Sequence, residues 1–222
     1  LYTVLNSGLV AVTGLGFIKT AAEMQNLNNQ IRLVTDSERE YIGTKQLLSK
    51  IADDNFADIN STINLYQKSV RALTNLGKSQ ADSIKFTEAV SLAMRTGGRS
   101  AGENAAAILQ LGQAMGAGVI MGDEFRSISE NAPVLLKLVA KEMGVLQGDL
   151  KKLSADGKIT AEIMYNAMTK NMAELEELAK KMPLTMGQAF VVAKNNYKKY
   201  TDEMMNSTGG VSDKISGMLV KI

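Results

Sequence analysis

The chain lacks cysteine, histidine and tryptophan altogether, and it has only two prolines in 222 residues. Without cysteine there is no disulfide framework. Structural zinc sites use thiolate or imidazole ligands, so we expect no metal site, and we also expect no cofactor. Ser-His-Asp and Cys-His catalysis are excluded, because both need histidine. Any general acid–base chemistry would fall to Asp, Glu, Lys or Tyr.

The chain also lacks a large excess of charge of either sign, because 25 basic and 23 acidic residues give a net charge of only +2. This balance provides no long-range attraction to nucleic acid, so we expect no specific nucleic-acid partner. Hydrophobic residues make up 45% of the chain, which is typical of a globular protein rather than a disordered tail. The chain starts at Leu1 with no readable signal peptide and stops at Ile222 within an amphipathic pattern, so we expect a fragment of a longer chain.

Apolar residues recur every three or four positions along most of the chain, and no segment shows the sustained alternation of a strand. The sequence therefore predicts an all-α fold without a sheet, in which helical hairpins are joined by turns at glycine or proline. The predicted helices cover residues 18–34, 38–53, 59–76, 80–96, 101–115, 124–132, 133–143, 149–155, 161–182 and 185–206, with a last piece from 211.

Several helix ends carry their own signals. Capping-box spacing marks three starts: Ser37 with Glu40, Ser79 with Asp82, and Ser100 with Glu103. Glycines that favour the left-handed conformation mark three ends: Gly77, Gly144 and Gly157. Pro133 suits the first turn of a helix, where its missing N–H is not needed, and Thr160 is predicted to cap the helix that follows it.

Residues 1–18 contain no charged side chain. Their length reaches the lower limit for a membrane span, and small residues at Gly8, Ala11, Gly14 and Gly16 would allow close helix approach. The polar residues and glycines in this stretch favour a buried or self-associating helix over a membrane-inserting one. Both interpretations stay open on the sequence alone.

Three other stretches resemble functional motifs only weakly. The glycines of "GQAMGAG" and "GRSAGENA" follow no predicted strand and lack the Lys-Ser/Thr ending of a phosphate-binding loop. "SADGKIT" lacks the carboxylate ligands of a calcium loop. The segment around it could be a helix-turn-helix, but its second helix offers no base-reading side chains in its first turns. We interpret all three as helix ends and turns.

The order of residues between 105 and 168 is more specific. The segment "AAAILQLGQAMGAGVIMGDEFRSISENAPVLLKLVAKEMGVLQGDLKKLSADGKITAEIMYNAM" resembles the tape measure domain of tailed-phage tail length tape measure proteins. Segments 27–38, 65–77 and 97–115 also look like that family, and the likeness covers about residues 21–182. The residues that carry the pattern are Gln110, Leu111, Gly118, Gly122, Asp123, Glu124, Phe125, Arg126, Glu130, Ala132, Pro133, Gly144, Gly157, Lys158, Ile159 and Thr160.

The resemblance implies a structural virion protein rather than an enzyme. Tape measure proteins lie in the lumen of the tail tube, set its length during assembly, and leave through the tail tip at infection. The implied partners are the tail tube protein, tail-assembly chaperones, tail tip or baseplate proteins, other copies of the chain, and the host membrane. The implied location is the phage tail, and the host cytoplasm during assembly. The alternative is a membrane-inserting or pore-forming helical protein that acts after ejection.

Within that frame we expect a hydrophobic helical lead-in at 1–35, the tape measure domain at 36–182, and a C-terminal helical extension at 183–222. We assign the motif residues a structural role. The corner at Pro133 is predicted to bring Phe125 and Ile128 against the following helix, and Arg126 is predicted to pair with Glu130.

Overall fold

The computed structural model describes the backbone of residues 2–207 and the side chains of residues 16–206. That part of the chain contains eleven α-helices, one short 3-10 helix (Gln147–Asp149) and no sheet, which confirms the all-α prediction. The α-helices are α1 (Tyr2–Arg32), α2 (Glu38–Asp54), α3 (Ile59–Asn75), α4 (Gln80–Thr96), α5 (Ala101–Ala117), α6 (Gly122–Asn131), α7 (Pro133–Met143), α8 (Leu150–Ala155), α9 (Ala161–Thr169), α10 (Met172–Lys180) and α11 (Met186–Ser207).

Most predicted helix bounds agree with the structure to within two residues, and those of α4 and α7 agree at both ends. Helix α1 runs without a break from Tyr2, so the uncharged stretch and the helix predicted from residue 18 form one helix. One prediction is wrong: the single helix predicted for 161–182 is two helices, α9 and α10. The predicted helical piece from residue 211 lies outside the described residues.

The break between α9 and α10 lies at Asn171, which has φ −103° and ψ 14°. The buried side chain of Asn171 donates a hydrogen bond to the carbonyl of Ala167 at 2.7 Å. It also accepts one from the Lys141 ammonium of α7 at 2.6 Å. The apolar period continues through this point in Met168, Met172 and Leu175. Because the break coincides with a contact from another helix, local periodicity could not reveal it.

Contacts divide the chain into two compact units. One consists of the described parts of Leu1–Asn29 and Ala193–Ile222, and the other is Gln30–Val192. In the first unit, Ala21, Met24 and Leu27 of α1 are buried. The polar residues that α11 buries in the same unit are described below.

The second unit holds the main hydrophobic core. Helix α3 packs against α4 and α5, α7 packs against α9, and α10 packs against α4. The largest fully buried side chains of this core include Leu65, Leu73, Phe86, Ile108, Leu111, Met115, Ile120 and Ile128. Removal of this apolar surface from water is the main stabilising contribution to such a fold.

Serine caps fix the starts of three helices in this unit. Ser79 with Asp82 and Ser100 with Glu103 form complete capping boxes, as predicted. At α2 the prediction is only half right. Ser37 accepts a hydrogen bond from the backbone N–H of Glu40, but the Glu40 carboxylate accepts from the N–H of Asp36 at 2.7 Å.

Candidate functional site

The motif residues extend from the end of α5 to the start of α9. On α5, Leu111 is fully buried and Gln110 is half-buried. Helix α5 ends at Gly118, which has the left-handed φ of 83° and donates its N–H to the carbonyl of Met115. A side chain at Gly118 would meet nothing within 4 Å, so the requirement for glycine is one of backbone conformation rather than of space.

The two ends of the motif lie side by side. Ile120 donates its backbone N–H to the carbonyl of Ile159 at 2.9 Å, and Ala161 donates to the carbonyl of Gly118 at 2.8 Å. The hydroxyl of Ser154 donates to the carbonyl of Ile120 at 3.0 Å. These bonds surround an isolated antiparallel bridge between Val119 and Thr160. The pairing satisfies extended backbone in an otherwise helical region, and sequence reasoning missed it because a single bridged residue on each side shows no alternation.

Helix α6 follows this pairing directly. Gly122 begins the helix with φ of 50°, and Asp123 and Glu124 occupy its first turn, where negative charge interacts favourably with the helix dipole. Arg126 pairs with Glu130 at 3.2 Å, as predicted. Both side chains are exposed, so this pair contributes no more than a few tenths of a kcal/mol.

The corner between α6 and α7 lies at Ala132, which is buried and has φ −138° and ψ 55°. Pro133 occupies the first position of α7, as predicted. Ile128 lies in the hydrophobic core with Leu135, and Phe125 packs against that core while partly exposed. The turn therefore places two short helices on one core at an angle that a continuous helix would not allow.

Two glycines close the helices that follow. At Gly144 (φ 67°) and Gly157 (φ 65°) the next residue donates its N–H back to the carbonyl five positions earlier, as in a Schellman motif. After Gly157, Lys158 is exposed and Ile159 is fully buried. Thr160 caps α9, since its side chain accepts the N–H of Ile163 at 3.3 Å.

The sequence model of the tape measure protein family matches residues 16–206, which is most of the chain. The chain belongs to the tape measure protein family. No curated protein and no solved structure gives a significant match. As a member of this family, the tape measure chain is a structural protein of the phage tail.

The charged motif residues of the tape measure chain lie on its surface. Asp123, Arg126, Glu130 and Lys158 are exposed. Of these four, Arg126 lines a surface groove of about 440 Å³, together with Gly122, Phe125, Ser129, Lys151, Ser154 and Ala155. Across residues 2–207 no group of three or more acidic residues is placed to hold a metal ion.

The small residues near the start of the tape measure chain belong to helix α1. Gly8, Ala11 and Gly14 fall in its backbone range, but the side chains of this segment lie outside the described residues. Gly16 is exposed, and a side chain there would meet nothing within 4 Å. None of the described helices combines the length and the apolar character needed to cross a lipid bilayer.

Proposed function

We propose that this chain is a folded domain of the tape measure that sets the length of the phage tail tube during assembly. The observation that carries the proposal is the family match over residues 16–206. In this proposal the domain occupies the lumen or the tip of the tube, acts through contacts rather than catalysis, and is made in the host cytoplasm before assembly.

The described fold suggests how the domain relates to the ruler. An α-helix rises about 1.5 Å per residue, so a continuous helix converts chain length linearly into distance. Within residues 2–207 the longest helix has 31 residues, and the helices are separated by glycines, caps and corners. We therefore assign the ruler to other parts of the protein, and treat 36–182 as the folded domain between a lead-in at 1–35 and an extension at 183–222.

Exposed apolar side chains support contacts with other tail components. Leu178, Leu184, Met186 and Phe190 lie within thirteen residues of one another in sequence, and all are substantially exposed. We take this exposed apolar segment as a contact surface of the domain. The partners that fit this role are the tail-assembly chaperones, the tail tube protein, the tip or baseplate proteins, and further copies of the chain.

Tail length measured by electron microscopy tests the proposal. Deletions or duplications of helical segments outside residues 1–222 in the full gene should shorten or lengthen tails in proportion to the residues changed. The matched control replaces one such segment by an unrelated helical segment of equal length, which should leave tail length unchanged. Tails of constant length across the deletion series would reject the ruler role.

The second proposal concerns DNA delivery. The uncharged residues 1–18, with their small-residue spacing, would insert into the host inner membrane after ejection, as part of a channel or as a pore. Dye release from liposomes by the intact chain, abolished when Leu9 and Val10 are changed to Asp, would support it. Absence of release at any protein concentration would reject it, and would leave the tail-length role untouched.

A further inference from the structure

The part of helix α11 that lies in the first unit buries a polar face and exposes aromatic side chains. In the first unit, Asn195, Lys198, Thr201 and Asp202 are buried, with Lys198 only 2% and Asp202 only 5% exposed. Tyr197, Tyr200 and Met204, on other sides of the same helix, are 48%, 56% and 40% exposed. Amphipathic helices ordinarily turn their apolar stripe inward, and lysine and aspartate are rarely buried unless they are paired.

Two of these four polar groups, Lys198 and Asp202, are paired with α1, while the Thr201 hydroxyl donates to the Tyr197 carbonyl of its own helix at 2.9 Å. The Lys198 ammonium lies 3.3 Å from the Glu23 carboxylate, and the Asn28 amide donates to the Asp202 carboxylate at 2.7 Å. The same Asp202 oxygen accepts a second bond from the Asn206 amide at 3.1 Å. The residue numbers of both helices increase from the Glu23–Lys198 pair to the Asn28–Asp202 pair. The two helices therefore run in the same direction.

These contacts are poor candidates for a source of stability. Glu23 stays 41% exposed, but Lys198 and Asp202 are taken out of water, at a cost in free energy that the pairing only partly recovers. Apolar replacements of such pairs are often neutral or stabilising. Hydrophobic burial alone would favour a rotation of α11 that turns Tyr197, Tyr200 and Met204 toward its neighbour. The observed setting therefore needs a cause other than the amount of apolar surface buried.

We propose that the Glu23–Lys198 and Asn28–Asp202 contacts select the register and rotational setting in which α11 pairs with α1. Apolar contacts between helices are non-directional and allow several registers. Directional polar contacts penalise every register that leaves them unpaired. A shift by one helical turn, roughly 5.4 Å, separates both pairs at once. The device gives specificity to a pairing between segments about 170 residues apart in the chain.

The absence of cysteine makes the register directly measurable. Spin labels on cysteines introduced at the exposed positions Gln25 and Glu203 of the full chain report one inter-helix distance by pulsed electron spin resonance. A fourfold apolar variant carries Glu23→Leu, Asn28→Leu, Lys198→Met and Asp202→Leu. We expect it to melt no lower than the doubly labelled reference, while its single narrow distance is replaced by several, spaced by about 5 to 10 Å.

A single narrow distance in the fourfold variant would overturn the proposal, because packing would then suffice to set the register. A large loss of melting temperature would also overturn it, because the contacts would then act through stability. The charge series provides the second readout. Glu23→Lys should broaden the distance distribution, and Glu23→Lys with Lys198→Glu should restore the narrow one. An unchanged distribution in Glu23→Lys alone would equally reject the proposal.

Discussion

The hydroxyl of Tyr165 donates a hydrogen bond of 2.8 Å to the carboxylate of Asp82, 83 residues earlier in the chain. Asp82 is also the acid of the capping box at α4, where it accepts the N–H of Ser79 at 2.9 Å and the hydroxyl of Ser79 at 2.7 Å. One carboxylate thus completes the start of α4 and ties α9 to it. The Ser79 hydroxyl and backbone N–H, and then Tyr165, lower the pKa of Asp82 from 3.8 to about 2.

Tyr165→Phe should lower the free energy of unfolding by about 1 to 2 kcal/mol at neutral pH, since it removes a hydrogen bond to a charged group. The ring is retained, so its packing on Phe86, at 6.4 Å between ring centroids, should persist. Urea denaturation measures the change, with Tyr200→Phe at an exposed position as the control. Equal stability of the two variants would show that the Asp82 contact contributes nothing.

The pKa of Asp82 leads to a prediction about acid. Because its folded pKa of about 2 lies below the ordinary 3.8, the charged form is favoured in the folded state. That contribution is fully present above about pH 4 and is lost as the pH falls through 3.8 toward 2. Asp82→Asn should therefore flatten the decline in unfolding free energy between pH 4 and 2.

Ser79→Ala provides the control for this measurement. It keeps the titrating carboxylate but removes the largest cause of its lowered pKa, so the acid-dependent decline should shrink without vanishing. An acid profile of Asp82→Asn that runs parallel to the unchanged chain would contradict the assignment.

The structural features that the sequence predicted depend on residues close together in the chain, whereas those it missed join residues far apart in the chain. The left-handed glycines at 144 and 157, the Thr160 cap and the Pro133 start are each decided by neighbours within five residues, and all four occur as predicted. The pairing of Ile120 with Ile159 and the bond from Tyr165 to Asp82 join distant residues. No local pattern encodes them. The family pattern of the motif was readable because it is an ordered set of such local signals.

Gly157→Ala should destabilise the chain by about 1 to 2 kcal/mol, because an L-residue at φ 65° is strained. A new Cβ would approach only the Met121 sulfur, at an ordinary 3.9 Å, so crowding contributes little. Gly148→Ala is the matched control, since Gly148 has no positive φ and no neighbour within 4 Å of an added Cβ. Equal urea midpoints for the two variants would rule out the conformational explanation.

Leu111→Ala should cost about 2 to 5 kcal/mol, the usual cost of removing a fully buried leucine side chain and leaving a cavity. Leu109, two residues earlier on the same helix, is 46% exposed. Because it is also a leucine, its change to alanine removes the same atoms and alters helix propensity equally. Leu109→Ala should therefore change the unfolding free energy by well under half as much. Comparable losses, measured by guanidinium denaturation, would mean that the face of α5 assigned to the core is wrong.

Pro133→Ala tests what makes the corner between α6 and α7. The proline restricts the residue before it and stiffens the unfolded chain, which together are worth about 0.4 to 1 kcal/mol. Packing supplies the rest, because Ala132 is buried at the corner and Ile128 and Leu135 are fixed in the core on either side of it. We expect a loss under about 1 kcal/mol and backbone chemical shifts at Ala132 that remain non-helical. Helical shifts at Ala132, with α6 and α7 fused, would show that the proline alone maintains the turn.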